Sequence, residues 1–167
     1  MATELEDLKI LQNAEDIADA VWKRVVQWDQ FARDVVGKQI ARATDSIGAN
    51  IAESYGRFNY GEKLQFLYYS RGSLFEAKYW LNRALARELM KAEEVKVYAS
   101  RLSDVARQLN TFANSLKLQR KDNKAQTKSV REPETEYSVR NWLDDSASIF
   151  TDQELDWFTT FPSVSSR

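Results

Sequence analysis

An apolar side chain recurs at every third or fourth position of residues 95–116, VKVYASRLSDVARQLNTFANSL. The recurring residues are Val95, Tyr98, Leu102, Val105, Leu109, Phe112 and Leu116. This spacing keeps them on one face of an α-helix and repeats every seven residues, which is typical of helices that pack at shallow angles. The segment therefore predicts an amphipathic helix whose apolar face packs against other helices.

Three more helices are predicted before this segment. The first covers residues 14–35, where apolar side chains follow the same spacing until Gly37 interrupts it. The second covers about residues 38–57, and the third about residues 60–90. Four helices with short connections predict an all-α fold, an up-and-down antiparallel four-helix bundle over residues 1–118.

The predicted third helix is apolar on most sides. Asn59 is suited to cap its start, and Glu62 is spaced to complete a capping box. Its leucines form one apolar stripe along the helix, and Tyr68, Phe75 and Tyr79 form a second stripe. A third apolar stripe lies on nearly the opposite side of the helix from the second. One interpretation is that the bundle has a thick core. However, a helix in a lone four-helix bundle buries only one stripe, so additional apolar stripes favour contact with another subunit. The predicted subunit interface is the third stripe: Phe66, Ala77, Trp80 and Ala84.

The composition excludes the commonest catalytic and metal sites. The 167 residues include neither His nor Cys, so His-based triads, the usual zinc sites and Glu-x-x-His di-iron sites are absent. An all-carboxylate magnesium site or lysine chemistry stays open, as does an acid–base pair of Glu53 with Glu62 or Glu76. We therefore expect a protein with no enzymatic activity and no cofactor.

The N-terminal sequence and the lack of cysteine predict a cytoplasmic protein. The first ten residues, MATELEDLKI, are acidic where a secretory signal would be basic. No apolar run approaches the roughly 18 residues that a membrane span needs. A chain with no cysteine has no disulfide framework, which agrees with a reducing compartment.

Beyond Leu116 the helical pattern ends and the charge changes sign twice. Residues 117–131 hold six basic residues and one acidic residue, which predicts a basic linker over 119–131. Residues 132–157 hold eight acidic residues and one basic residue, within an acidic tail over 132–167. This tail is either largely disordered or folds over a basic surface, where it would compete with an anionic partner.

A short helix is predicted within the acidic tail at residues 151–158. Thr151 and Glu154 have the spacing of a capping box. The alternatives are a disordered tail with a chance apolar cluster, or a docking peptide that places Leu155, Trp157 and Phe158 in a groove.

A polar cluster is predicted between the second and third helices: Asn50, Glu53, Arg57, Arg71 and Ser73. Arg71 and Lys78 lie seven residues apart among apolar residues, where an unpaired charge is costly. We therefore predict a Glu53–Arg71 pair with Asn50 and Ser73 as hydrogen-bonding neighbours. The cluster either sets the packing of helices and subunits or lines a pore or ligand surface.

Nucleic-acid binding is a second hypothesis, because assembly would repeat the basic residues of each subunit. The candidate contacts are Lys38, Arg42, Arg57, Lys63, Arg71, Arg83 and the basic arm over 117–131. Against this hypothesis, residues 1–118 hold 17 basic and 16 acidic residues, so the helical part is almost neutral.

Three segments resemble one bacterial family, the four-helix-bundle proteins encoded in intervening sequences of large-subunit ribosomal RNA. They are LEDLKILQNAEDIADAVW (5–22), SIGANIAESYGR (46–57) and GEKLQFLYYSRGSLFEAKYWL (61–81). The pattern Ser-Ile-x-x-Asn-Ile-Ala-Glu-x-x-Gly-Arg, followed by Gly-Ser-Leu-x-Glu, is specific for that family. Ser54 departs from it, since the family often has Gly there. The resemblance covers about residues 5–117.

The resemblance implies a bundle that assembles as a ring, typically a homopentamer, with no known enzymatic activity. A related group, the accessory variability proteins of diversity-generating retroelements, forms similar pentamers that bind a reverse transcriptase and RNA. By analogy we expect a homo-oligomeric scaffold that binds RNA or a ribonucleoprotein partner. The alternative is a dedicated nucleic-acid-binding protein that acts through basic residues repeated around the ring.

Overall fold

The computed structural model describes residue 5 and residues 8–126 and 148–161, and within these residues the chain is all-α. A π-helical turn, Arg33–Gly37, joins the second and third helices. The helices are α1, Lys9–Val25; α2, Gln30–Ala32; α3, Lys38–Gly56; α4, Tyr60–Ala86; α5, Ala92–Gln126; and α6, Asp152–Thr159. None of the helices in this described part is long and apolar enough to cross a membrane.

The first predicted helix is divided into two. α1 ends at Val25, and Asp29 then adopts an extended conformation and caps α2. Its carboxylate accepts a hydrogen bond from the Ala32 amide at 2.9 Å, which satisfies one of the free amides at the start of a helix. The prediction of one helix over residues 14–35 is therefore wrong, because the apolar spacing happens to continue across a capped break.

Gly37 does not interrupt the helical path, contrary to the prediction. Its backbone is helical, and the π-helical turn passes directly into α3. A Cβ atom at Gly37 would lie 2.6 Å from Cγ1 of Val25, far closer than atoms pack. The glycine therefore allows α1 and the π-helical turn to approach each other.

α4 begins at Tyr60 as predicted, but the predicted capping box is wrong because the Asn59 side chain makes no capping hydrogen bond. α4 ends at Ala86, before the predicted end near residue 90. Glu88 takes a left-handed conformation with φ 57°, and the Leu89 amide donates to the Ala84 carbonyl at 2.9 Å. This is the hydrogen bonding of a Schellman motif, which terminates helices.

One apolar core lies between the four long helices. α3 packs against α1 and α4, and α5 packs against α4 and α1. The seven-residue repeat of α5 supplies fully buried Val95, Leu102 and Leu109, and the leucine stripe of α4 faces the same core. The periodicity of α5 therefore predicted its buried face correctly.

The chain beyond the core is more helical than predicted. α5 continues to Gln126, so the first part of the predicted linker over 119–131 is helical. The rest of that linker and residues 132–147 and 162–167 of the predicted tail lie outside the described residues. α6 confirms the short helix predicted at 151–158, and its Thr151–Glu154 capping box is formed.

Candidate functional site: a groove between α4 and α5

Residues 148–161, which include α6, lie in a groove between α4 and α5; we name them the docked segment. Phe150 and Phe158 are fully buried, Leu155 is nearly so, and Trp157 at the edge is 38% exposed. The segment runs in the same direction as α4, because Ile149 lies against Arg71 and Phe158 against Lys78. Of the three residues that the docking-peptide alternative places in a groove, Leu155 and Phe158 are buried there, whereas Trp157 lies at its edge.

Arg71 of α4 binds the first half of the docked segment. Its Nε donates to the Ile149 carbonyl oxygen at 2.8 Å, and its Nη2 pairs with the Glu154 carboxylate. The guanidinium also lies 4.7 Å from the ring centre of Phe75 and 5.3 Å from that of Phe150. Arg71 therefore joins a backbone acceptor, a carboxylate and two aromatic rings of the groove and segment.

Lys78 binds the second half of the docked segment and is fully buried. Its Nζ donates to the carbonyl oxygens of Phe158 at 2.9 Å and Thr160 at 2.8 Å. It also lies 3.4 Å from the ring centre of Phe161. Burial lowers the pKa of Lys78 to about 8, whereas the carbonyl dipoles at the end of α6 and the aromatic face stabilise the ammonium.

α5 completes the groove with neutral polar side chains. Asn110 bonds both backbone groups of Phe150: its Nδ2 donates to the carbonyl oxygen at 2.9 Å, and its Oδ1 accepts from the amide at 2.7 Å. Ser103 donates to the Leu155 carbonyl oxygen at a longer 3.4 Å. The groove thus recognises the segment largely through main-chain atoms.

Phe75 of α4 forms the aromatic floor of the groove. Its ring centre lies 5.7 Å from Phe150, 5.3 Å from Trp157 and 5.4 Å from Phe158. These distances are typical of favourable aromatic pairs. The middle residue of the aromatic stripe predicted for this helix is therefore covered by the chain's own C-terminal part.

The sequence model of the 23S rRNA-intervening sequence proteins matches residues 6–111. This range is well over half of the chain and contains Arg71, Phe75, Lys78, Ser103 and Asn110, all of which line the groove. The chain belongs to this family. A search of curated proteins finds no match. The docked segment lies outside the range that the family model covers.

The predicted Glu53–Arg71 pair within the family motif is wrong. Glu53 pairs with Arg57, the residue that directly follows α3, while Arg71 pairs with Glu154. A partner four residues away in sequence, at the end of the same helix, is reached without crossing to another element. Asn50 and Ser73, predicted as hydrogen-bonding neighbours of that pair, instead bond to each other, with Nδ2 and Oγ at 3.4 Å.

Two of the four residues predicted for a subunit interface lie inside the chain. Ala77 and Ala84 are fully buried, so they cannot contact another subunit. They follow Ser70 at seven-residue steps, and Ser70 donates to the Ile47 carbonyl of α3 at 3.0 Å. Their small side chains therefore face α3, and this part of the prediction is corrected. Phe66 and Trp80 are half-buried and reach the surface.

The surface of α4 away from the groove carries two aromatic pairs. We name it the outer face: Phe66, Tyr69, Gly72, Tyr79 and Trp80. The ring centres of the first pair, Phe66 and Tyr69, are 5.5 Å apart, and those of Tyr79 and Trp80 are 5.1 Å apart. The two tyrosines are 50% and 53% exposed. Gly72 lies between the pairs, and a Cβ atom there would have no neighbour within 4 Å.

Most basic residues predicted to contact nucleic acid have a partner. Lys38 pairs with Asp34, Arg42 with Glu76, Arg57 with Glu53 and Arg71 with Glu154. Lys63 is half-buried at the start of α4, and Arg83 lies 5.8 Å from the ring centre of Tyr79. Pairing reduces the positive potential that these residues would offer to phosphates.

Among the described residues, the three glutamates considered for an acid–base pair are ion-paired or exposed. Glu53 and Glu76 are engaged in ion pairs, and Glu62 is exposed in the first turn of α4. Within this part of the chain, no group of three or more His, Cys, Asp or Glu residues could hold a metal ion.

A second depression lies between α1 and α3, with a volume of about 240 Å³. Its floor is made of small and apolar residues, and its edge carries Glu15, Asp19 and Asp45. Partial burial raises the pKa of Asp45, and the charge of Asp19 adds to the shift. The acidic edge makes this depression unsuitable for a phosphate.

Proposed function

We propose that this family member is a cytoplasmic, non-enzymatic, homo-oligomeric scaffold that binds a macromolecular partner. In this proposal each subunit is an up-and-down antiparallel four-helix bundle and the subunits form a ring, which the family resemblance favours as a pentamer. The observation that carries the proposal is the outer face of α4. The aromatic side chains of this face remain partly exposed, whereas α3, α5 and the docked segment cover the other sides of α4.

Gly72 supports a role for the outer face in subunit contact. A glycine within a helix is about 1 kcal/mol less favourable than alanine. Nothing in the described chain requires a glycine at this position, because a Cβ atom would meet open space. Close approach of a helix backbone from another subunit would explain the glycine, because a side chain there would keep the two backbones apart. The flanking aromatic pairs would supply apolar contact area.

Substitution of Gly72 separates intrachain stability from assembly. We expect Gly72→Ala to raise the free energy of unfolding of the isolated subunit by about 1 kcal/mol. We expect Gly72→Leu and Trp80→Ser to shift the oligomer toward a monomer of 19.4 kDa in size-exclusion chromatography with light scattering. Trp22→Ser is the matched control, since Trp22 is a 60% exposed tryptophan on α1, away from the outer face of α4. A wild-type monomer at working concentration, or variants that assemble as the wild type does, would contradict the proposal.

RNA or ribonucleoprotein binding is the second candidate, and the arginines beside the outer face favour it. The guanidinium of Arg57 lies 4.7 Å from the ring centre of Phe66, and that of Arg83 lies 5.8 Å from Tyr79. Arginine beside aromatic rings is a surface on which unpaired bases stack. A ring would repeat this surface once per subunit and bind multivalently. Arg71 does not contribute in the docked state, because the docked segment covers it.

Binding of RNA can be tested with paired substitutions. We expect Arg57→Gln with Arg83→Gln to weaken salt-sensitive binding of a single-stranded RNA oligonucleotide, whereas Arg33→Gln, at an exposed position of the π-helical turn, leaves it unchanged. Absence of RNA binding by the wild type at low salt would remove this candidate and leave the scaffold proposal in place.

A further inference from the structure

We propose that the groove between α4 and α5 is a peptide-binding site that accepts the docked segment, residues 148–161, from a second copy of this chain. In the structure the groove is filled by the chain's own segment, which shows the chemistry of the ligand. The proposal does not depend on the outer face, because the groove lies on another side of α4.

Main-chain recognition is the first reason for a peptide ligand. Arg71, Asn110 and Lys78 donate to the carbonyl oxygens of Ile149, Phe150, Phe158 and Thr160, and Asn110 also accepts from the Phe150 amide. Hydrogen bonds to the main chain provide affinity for a peptide, while pockets for its side chains provide specificity. Here the pockets are filled by Phe150, Leu155 and Phe158.

Charge complementarity is the second reason. The groove presents Arg71 and Lys78, and the docked segment contains Asp152, Glu154 and Asp156 with no basic residue. Glu154 serves twice, since its carboxylate closes the capping box of α6 and pairs with Arg71. The ligand class is therefore a short amphipathic helix with an acidic first turn, an aromatic residue just before it and a second at its end.

The length of the connection permits docking between copies. Asn110 lies about 24 Å before the end of α5 at Gln126, from a rise of 1.5 Å per residue. A chain the length of residues 127–147 can span up to about 70 Å when extended. The groove contacts described above are all made by residues 149–161 of the docked segment. A segment from a neighbouring copy therefore meets the same recognition groups as the chain's own segment.

The first experiment measures binding of a separate peptide. The acceptor is the full chain with Phe158→Ser, which weakens its own segment and leaves every groove residue intact. The probe is a fluorescein-labelled peptide of residues 148–161. We expect saturable binding to this acceptor and at least about tenfold weaker binding to the wild type, whose groove is occupied.

Matched controls separate specific recognition from adhesion. A peptide with Glu154→Gln, or an acceptor that also carries Lys78→Met, should bind about tenfold more weakly or worse, because a charge-assisted contact is lost. Circular dichroism confirms that each acceptor is folded, and full-chain Trp157→Ser with Glu154→Gln serves as a second acceptor. Folded acceptors of both kinds that fail to bind the peptide would overturn the proposal. Binding of an RNA oligonucleotide at physiological salt by acceptors that do not bind the peptide would overturn it in favour of an anion site.

The second experiment tests exchange between copies. Because the chain has no cysteine, full chains with Arg71→Cys and with Glu154→Cys each carry a single thiol. We expect a short bis-maleimide to link the two variants into a covalent dimer after they are refolded together, while neither alone gives one. The double variant within one chain is the positive control for the geometry. A link within the double variant but none between the two single variants would overturn docking between copies.

The same cross-link distinguishes this proposal from the proposed assembly. With Trp80→Ser added to both variants, the covalent dimer should persist, since the outer face does not take part. Loss of the dimer only in that background would show that exchange requires the outer face, and the proposal as stated would fail.

Discussion

Gly37 and Gly72 show that the environment of a single residue decides what a glycine does. At Gly37 a Cβ atom would lie 2.6 Å from Cγ1 of Val25, whereas at Gly72 it would meet nothing within 4 Å. Val25 is buried and β-branched, so its side chain has few alternative rotamers. The first glycine is therefore required by packing within the chain, and the second is not.

We expect Gly37→Ala to lower the free energy of unfolding by up to about 2 kcal/mol, because overpacking costs about 1–3 kcal/mol and exceeds the gain in helix propensity of about 1 kcal/mol. Urea denaturation of both alanine variants checks this, with Gly72→Ala as the matched control that gains stability. A Gly37→Ala chain as stable as the wild type would mean that Val25 moves aside freely.

Residue patterns located the cations of the site but not their partners. The sequence shows Arg71 and Lys78 among apolar residues, where each needs compensation. The predicted partner of Arg71 is Glu53, yet Arg71 pairs with Glu154, 83 positions away. No local periodicity connects residues across so long a separation. The carbonyl oxygens that accept hydrogen bonds from Lys78 cannot be identified from the sequence, because every residue has a backbone carbonyl group.

At the scale of elements, α6 depends on its cap and on the groove together. A helix of eight residues is too short to be stable alone in water. Thr151 begins it by accepting from the Glu154 amide at 3.2 Å, and Thr159 near its end donates to the Asp156 carbonyl at 2.9 Å. The two threonines are both exposed, but only the first satisfies an amide that would otherwise lack a partner.

We expect Thr151→Ala to weaken docking of α6 by about 1 kcal/mol, the usual effect of removing an N-cap, which corresponds to about a fivefold loss of amide protection. Hydrogen exchange with mass spectrometry over residues 148–161 measures it. Thr159→Ala is the matched control and should leave protection nearly unchanged. Equal losses in the two variants would show that the capping box does not stabilise the docked helix.

Helix boundaries were predicted correctly where they depend on hydrogen bonds between residues that are close in the sequence. The Thr151–Glu154 pair predicted the start of α6, because a capping box is made within one turn. The break between α1 and α2 escaped the same reasoning, since Asp29 caps a helix inside an uninterrupted apolar spacing. The end of α4 also escaped it, because Glu88 takes the left-handed conformation that usually marks a glycine.

At the scale of the whole molecule, the docked segment adds to the apolar core that lies between the four long helices. Ile149, Phe150, Leu155 and Phe158 belong to the same apolar cluster as the four long helices. Yet the family match ends at residue 111, and the segment reaches that cluster from outside the matched range. The contacts of α1, α3, α4 and α5 with one another do not involve it. The segment therefore has the character of a separate unit that closes one side of the core.

We expect Phe158→Ala to release the docked segment without unfolding the four long helices. Loss of a fully buried phenylalanine costs about 3–5 kcal/mol, which is large for a unit held by one short helix. Once released, the segment leaves Lys78 exposed to water, where its ammonium is hydrated rather than unpaired. Hydrogen exchange should show lost protection in residues 148–161, retained protection in the buried turns of α3 and α5, and nearly unchanged helical circular dichroism. Phe58→Ala, at an exposed site, should change none of these. Loss of protection throughout the four helices would instead make the docked segment an integral part of the cooperative fold.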